Sequence, residues 1–454
     1  KQLSHGMPHR LTEGYGISPE HVEAAKAQGV GLIITVDNGI AAHDAADRAR
    51  ALGVDLIVTD HHSLDEGLPH ALAVINPKRE APSYTGHHLC GAGVAFKLAT
   101  ALTGVPNDLD IAALGTVADV VPLQGENRVI VALGLRHMAR HQRMGLRQLA
   151  AAAGLTLEAI SAEKIGFQIG PRINAAGRLD DALMALKLFL SDCPEETGRI
   201  AKLLNEANQA RRMIEQQIFD EAVEELEALF APEQRSIVLA RRGWHPGVIG
   251  IVAARVQGRY RRPTAVISID GEGIGRGSAR AGNGFDLVTS LAACQQYLEK
   301  FGGHRAAAGL TVREKNLEAF CLAFEEAALA QMGGGELLEE LPIDCLAAFS
   351  EIDGQLVQTL DQLEPIGHMN PAPLFCSCGV EMVRESVRVL KDQHLKFTAR
   401  QGDRVFSAIG FGMAEQFYTA AMPAAVDIAY CPRFNTWQGE TTIQLILRDI
   451  RPAG

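Results

Sequence analysis

The chain has 454 residues, a net charge of −11 and an ordinary globular composition, 47% hydrophobic and 21% charged. This length exceeds one hydrophobic core and predicts about three domains. The absence of a long apolar stretch or signal segment excludes a membrane span, and the eight scattered cysteines indicate reduced thiols, which together predict a cytoplasmic protein that binds no membrane.

Charge is distributed unevenly along the chain. Residues 235–280 contain nine arginines against two acids, whereas residues 333–364 contain eight acids and no lysine or arginine. The negative total therefore conceals a basic middle region and an acidic connector.

The first 130 residues alternate between helix and strand patterns. Helices are predicted at Pro19 to Ala27 and Ala41 to Leu52, and β-branched runs predict strands at 31–36, 55–59 and 72–75. Strands separated by helices predict a parallel, doubly wound sheet, whose reactive residues gather at the carboxyl edge.

The remaining chain divides into three further parts. Residues 93–190 are mostly helical, with a Gly/Arg-rich interruption at 170–178, and one long helix is predicted from Pro194 to Leu229. A second α/β unit follows with strands at 236–240 and 264–269, and five short strand-like runs after Pro371 fit a small barrel of the OB type. The predicted domains are 1–192, 193–231 (the linking helix), 232–332, and 333–454 (the acidic connector and barrel).

Acids and histidines follow the predicted strands and helices of the first unit. They are Asp37, the Asp60-His61-His62 triplet and Asp119. Oxygen and imidazole ligands of this kind hold divalent cations, and paired metals suit phosphoryl transfer. Taken singly, each has a structural explanation, such as a turn at Asp37 or a helix start capped by Asp60. Their shared position predicts a metal site.

The ordered motifs resemble those of the DHH/DHHA1 phosphoesterase family and, within it, the RecJ-type single-strand exonucleases. The matching segments, spread over nearly the whole chain, are 35–39, 59–62, 91–95, 116–123, 170–178, 243–250 and 301–304. The resemblance implies an α/β fold with a DHH domain, a long linking helix, an α/β DHHA1 domain and a C-terminal OB barrel. It also implies a 5′-to-3′ exonuclease of DNA repair and recombination, with two Mn²⁺ or Mg²⁺ ions in the complete enzyme.

The resemblance also assigns roles to the first group of residues. It implies that Asp37 bridges two metals, that His61 and Asp119 complete one ligand set, and that Asp60 and His62 support the site, with phosphate contact as the alternative role of His62. The implied partners are single-stranded DNA with a 5′ end, a single-strand-binding protein and a helicase, with the enzyme itself a monomer.

The chain departs from the family pattern at the first motif. A strand ending in Asp-x-Asp-Gly should precede residues 9–16 by a few dozen positions, and the chain starts at Lys1. We therefore expect this polypeptide to be inactive or nearly so. The alternatives are a non-catalytic single-stranded-DNA-binding relative and a small-substrate DHH phosphodiesterase of the nanoRNase type, and the long helix and barrel disfavour the latter.

A second group of residues predicts phosphate binding. Arg276, Ser278 and Arg280 place two guanidinium groups and a hydroxyl on what the glycines suggest is a turn, where backbone N–H groups also meet an anion. Further substrate-binding candidates are Arg178 with Asn174, and Arg10 with Tyr15. In the family, such residues hold the 5′ phosphate. The alternative for Arg178 is a structural role, in an ion pair with Asp180 or Asp181.

Two further features lie in the C-terminal half. His304 follows a Gly-Gly pair and is predicted to act near the scissile phosphate, although a lone histidine also suits a hydrogen-bonded turn. In the barrel, Lys396, Phe397, Arg433, Phe434 and Trp437 mix cations with aromatic rings, as in a stacking groove for single strands. Phe397 fits the barrel core equally well.

Overall fold

The computed structural model describes residues 3–8, 16–64, 67–179, 183–229, 231, 233–282, 284–332, 340–419 and 422–453, with the backbone alone at 176, 178, 179, 229 and 419. The helices are α1 (Pro19–Ala27), α2 (His43–Leu52), α3 (Gly91–Thr103), α4 (Leu109–Ala118), α5 (Gly125–His141), α6 (Met144–Ala152), α7 (Ala162–Lys164), α8 (Gly170–Leu179), α9 (Leu183–Leu190), α10 (Pro194–Leu229), α11 (Ile249–Tyr260), α12 (Leu287–Ala293), α13 (Leu317–Met332), α14 (Gly354–Asp361) and α15 (Ala414–Thr419).

The strands form three sheets. They are β1 (Leu32–Ile34), β2 (Asp55–Thr59), β3 (Ala73–Ile75), β4 (Ile237–Arg242), β5 (Thr264–Ile269), β6 (Ile274–Arg280), β7 (Leu298–His304), β8 (Ala307–Arg313), β9 (Cys345–Leu346), β10 (Phe375–Leu390), β11 (His394–Gln401), β12 (Arg404–Gly410), β13 (Ala425–Trp437) and β14 (Glu440–Pro452). In the described parts of the chain, no helix is both long enough and apolar enough to cross a membrane.

The chain folds into two compact units, the first comprising 1–15, 141–159 and 167–340, and the second comprising 16–140, 160–166 and 341–454. These units do not follow the predicted domain boundaries at 192 and 231. The boundaries remain a prediction.

The second unit contains the small parallel sheet, in the order β1-β2-β3. Ser18 caps α1, and a left-handed Gly53 ends α2. These two helices bury one face of the sheet in a core that includes Val22, Leu56 and Val58. The predicted parallel sheet is confirmed here, whereas the predicted doubly wound arrangement is not, because among the described residues the helices α1 and α2 cover one face only.

The opposite face of this sheet is open in the described residues. Leu32, Ile34 and Val36 are 46%, 46% and 53% exposed, although parallel strands are usually covered on both faces. The exposed row runs directly up to Asp37.

The second unit also contains the barrel. Strands β11, β12, β14, β13 and β10 pair in that order, and a further pairing between β10 and β11 closes the ring. Phe397 is 2% exposed and packs with Tyr430 and Phe349 in the barrel core. The structure therefore places Phe397 in the core instead of the proposed groove, while Trp437 is exposed.

The first unit is built on α10 and a five-stranded sheet in the order β4-β5-β6-β8-β7. The 36-residue helix α10 confirms the predicted long helix, and its apolar stripe, including Ile218 and Ala222, packs against α11 and β4. Residues 170–178 were expected to interrupt the helical region, but they form helix α8. This helix packs along α10, and these tertiary contacts outweigh the low helix propensity of glycine.

Candidate functional site

The candidate metal residues follow β1 and β2, at the carboxyl edge of the parallel sheet. The Asp37 N–H donates to the Thr59 carbonyl (3.0 Å), and the Asp60 N–H donates to the Ile75 carbonyl (3.0 Å), so the chain leaves each strand in a fixed position. Asp37 itself adopts a left-handed backbone conformation, with φ 66°, which Asp tolerates better than most residues.

Asp60 is the buried anchor of this edge, with 1% exposure. Its carboxylate accepts hydrogen bonds from the N–H groups of Ile40 (2.9 Å), His61 (2.7 Å) and His62 (3.1 Å), and bonds to His62 Nδ1 at 2.7 Å. Burial acts to raise the pKa of Asp60, but the hydrogen bonds from His62 and from the backbone outweigh it and lower the pKa to about 2. Asp60 is therefore a fixed anion that shapes the loop and does not cap a helix.

His61 faces two carboxylates. Its Nε2 atom lies 3.0 Å from Asp37 Oδ1 and 3.5 Å from Asp119 Oδ2. Among the described residues, this buried nitrogen has no hydrogen-bond partner of acceptable geometry. Two carboxylates converging on an unsatisfied imidazole nitrogen form a set of ligand atoms suited to a cation.

Asp119 reaches the cluster from the end of α4. It is the C-cap residue of that helix, where the helix dipole disfavours a negative charge. Burial raises the pKa of Asp119, His61 opposes this, and the nearby Asp37 carboxylate raises it further. A cation held by Asp37 and Asp119 would offset both the burial of the Asp119 carboxylate and its repulsion by Asp37.

His62 stands beside this ligand set. One ligand atom from each of Asp37, His61 and His62 lies within 4.8 Å of the others. The hydrogen bond to Asp60 raises the pKa of His62 against the effect of burial. The backbone of His62 is also fixed, because Asn76 Nδ2 donates to its carbonyl oxygen (3.0 Å).

Gly91 permits the position of Asp37. A Cβ atom at Gly91, in the first turn of α3, would lie 2.3 Å from Asp37 Oδ1 and 2.5 Å from Asp37 Cγ. The sequence interpretation assigned no role to Gly91 or Asn76. Asn76 follows β3 as Asp37 follows β1 and Asp60 follows β2, so position at the strand ends was a usable signal. The role of Gly91 depends on a contact between distant segments.

The residues present fit a hard divalent cation. Carboxylate oxygens suit Mn²⁺ and Mg²⁺, and imidazole nitrogens are ligands of transition-metal ions. Here a buried imidazole nitrogen lacks a partner while two carboxylates converge on it. The described set of Asp37, His61 and Asp119, with His62 alongside, is sufficient for one ion.

The predicted phosphate group lies in the first unit. Residues 274–280 form strand β6, between β5 and β8, and not a turn. The expectation that its backbone N–H groups meet an anion was wrong, because both sheet ladders use them. The alternation of a strand instead places Arg276, Ser278 and Arg280 on one face.

This face carries a guanidinium without an acidic partner among the described residues. Arg280 Nη1 donates to Ser278 Oγ (2.8 Å) and to the Ala279 carbonyl (2.7 Å), and burial lowers its pKa. A Cβ at Gly250, in the first turn of α11, would lie 3.0 Å from both Arg280 Nη2 and Ser278 Oγ. The start of α11 thus adjoins the two side chains, which suits an anion.

The structure describes only some of the other predicted substrate residues. Asn174 is exposed on α8, and His304 is exposed at the end of β7. Arg10 and Tyr15 lie outside the described residues, as does the side chain of Arg178.

Three family models match the chain. They are the DHH family N-terminal domain over residues 2–118, the DHHA1 domain over 233–330 and the RecJ OB domain over 343–449.

Curated relatives match almost the whole chain. The single-stranded-DNA-specific exonuclease RecJ of Bacillus subtilis is 36% identical over 453 residues, which cover 99% of this chain and 57% of the relative. The protein of the same name from Salmonella typhimurium is 34% identical, covering 99% of this chain and 82% of the relative.

Solved structures of related proteins also resemble this chain. RecJ from Thermus thermophilus in complex with Mn²⁺ is 32% identical with a TM-score of 0.83, covering 97% of this chain and 64% of that one. The Mg²⁺ complex from the same organism has a TM-score of 0.76 at 30% identity, with 96% and 70% covered.

Proposed function

Because this chain belongs to the RecJ branch of the DHH family, we propose that it hydrolyses phosphodiester bonds of single-stranded DNA from the 5′ end, in repair and recombination. The observation that carries the proposal is the convergence of Asp37 and Asp119 on the unsatisfied His61 Nε2. Relatives named as single-strand exonucleases, and neighbours solved with Mn²⁺ or Mg²⁺, support it.

Each side chain at the centre has a proposed task. Asp37, His61 and Asp119 hold the cation, which when bound activates water and neutralises phosphoryl oxygens. Asp60 holds the loop and orients His62 through the bond to Nδ1. The raised pKa of His62 favours its protonated form, which suits a hydrogen bond to a phosphate oxygen.

The β6 face is proposed to hold the terminal 5′ phosphate. Arg280 and Ser278 supply a guanidinium and a hydroxyl, and the start of α11 adds backbone donors. Arg276 extends the positive face. Asn174, Arg178, Arg10 and Tyr15 remain proposed substrate contacts, and His304 remains a proposed residue near the scissile phosphate.

A two-ion mechanism needs more carboxylates than the described cluster supplies. No Asp-x-Asp-Gly sequence occurs in the 454 residues. We therefore propose that this polypeptide binds one ion and hydrolyses DNA poorly. A non-catalytic single-strand-binding protein is the second candidate, which the small number of carboxylates favours.

Calorimetry with Mn²⁺ tests the metal centre. We expect Asp119→Asn to weaken Mn²⁺ binding at least tenfold, because an amide replaces an anionic ligand. Asp55→Asn, at the start of β2 and so at the opposite edge of the sheet, removes the same charge and serves as the control. Unchanged Mn²⁺ affinity in Asp119→Asn would reject the metal centre and favour the non-catalytic candidate.

Oligonucleotides with a 5′ phosphate or a 5′ hydroxyl test end recognition. We expect the phosphorylated strand to bind more tightly over a range of salt concentrations, and Arg280→Ala to remove the difference. Equal affinity for both ends, together with no effect of Arg280→Ala, would contradict the assignment of the β6 face.

The wider setting is also part of the proposal. We propose a cytoplasmic monomer that acts with a single-strand-binding protein and a helicase, which expose the strand it degrades. The eight cysteines are all free thiols, which supports a reducing compartment.

A further inference from the structure

A pocket on the first unit lies away from the β6 face. It is formed by the middle of α10, one face of α11 and the turn before α8, and its volume is about 410 Å³. Gly250 of α11 faces Arg280 and Ser278, whereas Ile251 and Arg255 of the same helix face this pocket. Its lining includes Phe167, Pro171, Arg211, Arg212, Glu215 and Arg255.

One carboxylate serves two of the arginines. Arg211 Nη1 donates to Glu215 Oε2 (3.2 Å), and Arg255 Nη1 donates to Glu215 Oε1 (3.2 Å). Arg211 is 8% exposed, and its Nε and Nη2 also bond to Asn208 Oδ1. The guanidinium of Arg255 lies 3.9 Å from the centre of the Phe219 ring. These two arginines are therefore held rigidly.

Two nearby arginines have no acidic partner within the described chain. Arg212 is exposed and has no hydrogen bond or ion pair there. Arg172 donates only to Asn205 Oδ1 (3.0 Å) and the Gln168 carbonyl (2.6 Å). Burial and the charge of Arg212 both lower the pKa of Arg172. The pocket lining carries three guanidinium groups, those of Arg211, Arg212 and Arg255, against the single Glu215, an excess of two positive charges, and Arg172 adds a further positive charge beside Arg212.

An aromatic ring stands at the pocket rim. Phe167 is 72% exposed in the π-helical turn Ile165–Ile169, close to Pro171. An exposed ring this large is costly in water, and π-helical turns frequently occur at functional sites. Cations around an exposed aromatic ring are the combination that binds phosphates and bases of single strands.

We propose that this pocket binds phosphodiester groups of a single nucleic-acid strand, with a base stacked on Phe167. The proposal rests on the proposed function and adds a second contact, separate from the site for the terminal phosphate. Arg212 and Arg172 supply charge for the backbone, while the Arg211–Glu215–Arg255 group keeps the wall rigid.

Fluorescence anisotropy tests the pocket with the 454-residue chain, a labelled oligothymidylate and EDTA, so that hydrolysis plays no part. We expect Arg212→Gln to weaken binding about fivefold and to reduce the slope of log affinity against log salt by about 0.7, the value for one phosphate contact on a single strand. Phe167→Ala should weaken binding about tenfold and leave the slope unchanged, because stacking is not ionic.

Arg199→Gln is the matched control. Arg199 is exposed on the same helix, about 20 Å away along its axis, and its loss removes the same charge. If Arg212→Gln and Phe167→Ala both behave like Arg199→Gln, the pocket proposal is overturned, while Mn²⁺-dependent hydrolysis by the same variants would leave the proposed function standing.

Two other outcomes would also overturn the proposal. The first is competition by thymidine 5′-monophosphate that depends on Arg212 and Phe167 as strongly as strand binding does, which would indicate a mononucleotide site. The second is an unaltered chain that does not bind the oligonucleotide at all. Assays of nucleotide release and Mn²⁺ binding then decide the proposed function separately.

Discussion

Gly91 is the residue on which the position of the Asp37 carboxylate depends. We expect Gly91→Ala to weaken Mn²⁺ binding by about 10- to 100-fold, as changes beside metal ligands commonly do, because the new Cβ would lie 2.3 Å from Asp37 Oδ1. Calorimetry measures the effect. Gly258→Ala, in α11 with nothing within 4 Å of its added Cβ, should leave Mn²⁺ affinity unchanged. Equal affinities in both variants would contradict this role.

Tyr430 provides a prediction for alkaline pH. Its buried hydroxyl lies 2.8 Å from Ser377 Oγ, and burial raises its pKa to about 12, against about 10 in an unfolded chain. Tyr430 therefore keeps its proton to a higher pH in the folded state than in the unfolded chain. Because the unfolded chain ionises first, the free energy of unfolding falls as the pH rises from about 10 to 12.

Tyr430→Phe should remove this part of the pH dependence, roughly 1 kcal/mol between pH 10 and 11. Urea unfolding at each pH measures it. Tyr418→Phe, at an exposed position, should retain the full slope. A Tyr430→Phe chain that loses stability as steeply as the unaltered chain would refute the assignment.

At the scale of residues, sequence patterns predicted which side chains come together but not which residues support them. Asp37, His61 and Asp119 were predicted together because each follows an apolar element, and the structure brings them within 3.5 Å of a shared nitrogen. Residue types alone could not distinguish Asp60 as the buried hub from its neighbours. The role of Gly91 beside Asp37 could not be predicted, since this contact joins positions 54 residues apart.

At the scale of elements, the loop 363–370 connects the barrel side of the second unit to the segment that follows Asp119. The His368 carbonyl accepts the Leu123 N–H (2.8 Å), the Met369 carbonyl accepts Gln124 Nε2 (2.9 Å), and the Leu363 carbonyl accepts Arg128 Nη2 (2.9 Å). The loop that follows the acidic connector thus braces the segment next to a candidate metal ligand.

Gly367 lies at the centre of this brace, and a Cβ there would be 2.7 Å from Leu123 Cδ1. We expect Gly367→Ala to lower the free energy of unfolding by about 1–3 kcal/mol through overpacking. Leu123→Ala removes the clash at the cost of a cavity, so the double variant should lose less than the sum of the single variants. Strictly additive losses in urea unfolding would rule out the contact.

Several elements followed directly from the sequence, and others did not. The predicted α10 has the observed bounds, because its apolar spacing and terminal prolines are unambiguous. Strand β10 runs over 16 residues and pairs with β13, β9 and β11, a length that the short strand-like runs of the sequence did not predict. Glycines in 170–178 and 274–280 suggested irregular structure, yet packing on α10 and pairing within the sheet determine those segments.

At the scale of the whole molecule, the proposed one-ion centre leads to a prediction about the rate of hydrolysis. We expect Mn²⁺ titration to give one ion per chain, and DNA hydrolysis to be at least a hundredfold slower than by the Thermus thermophilus relative under the same conditions, since a single ion supports only part of a two-metal mechanism. Asp119→Asn should abolish the residual rate. Two bound ions, or a rate equal to that of the relative, would show that further ligands complete the centre.

The contrast between Asp60 and its neighbours determines which mutations the protein tolerates. Asp60 serves the fold, because its carboxylate accepts three backbone N–H groups in a buried position, and an asparagine there would turn a donor toward other donors. The Asp37 carboxylate has no comparable structural role. Glycine at this position would adopt the left-handed backbone conformation without strain. A lineage freed from its chemistry would therefore lose the ligand at 37 early and keep the aspartate at 60 long after. Metal binding can thus be removed at position 37 while the loop held by Asp60 stays intact.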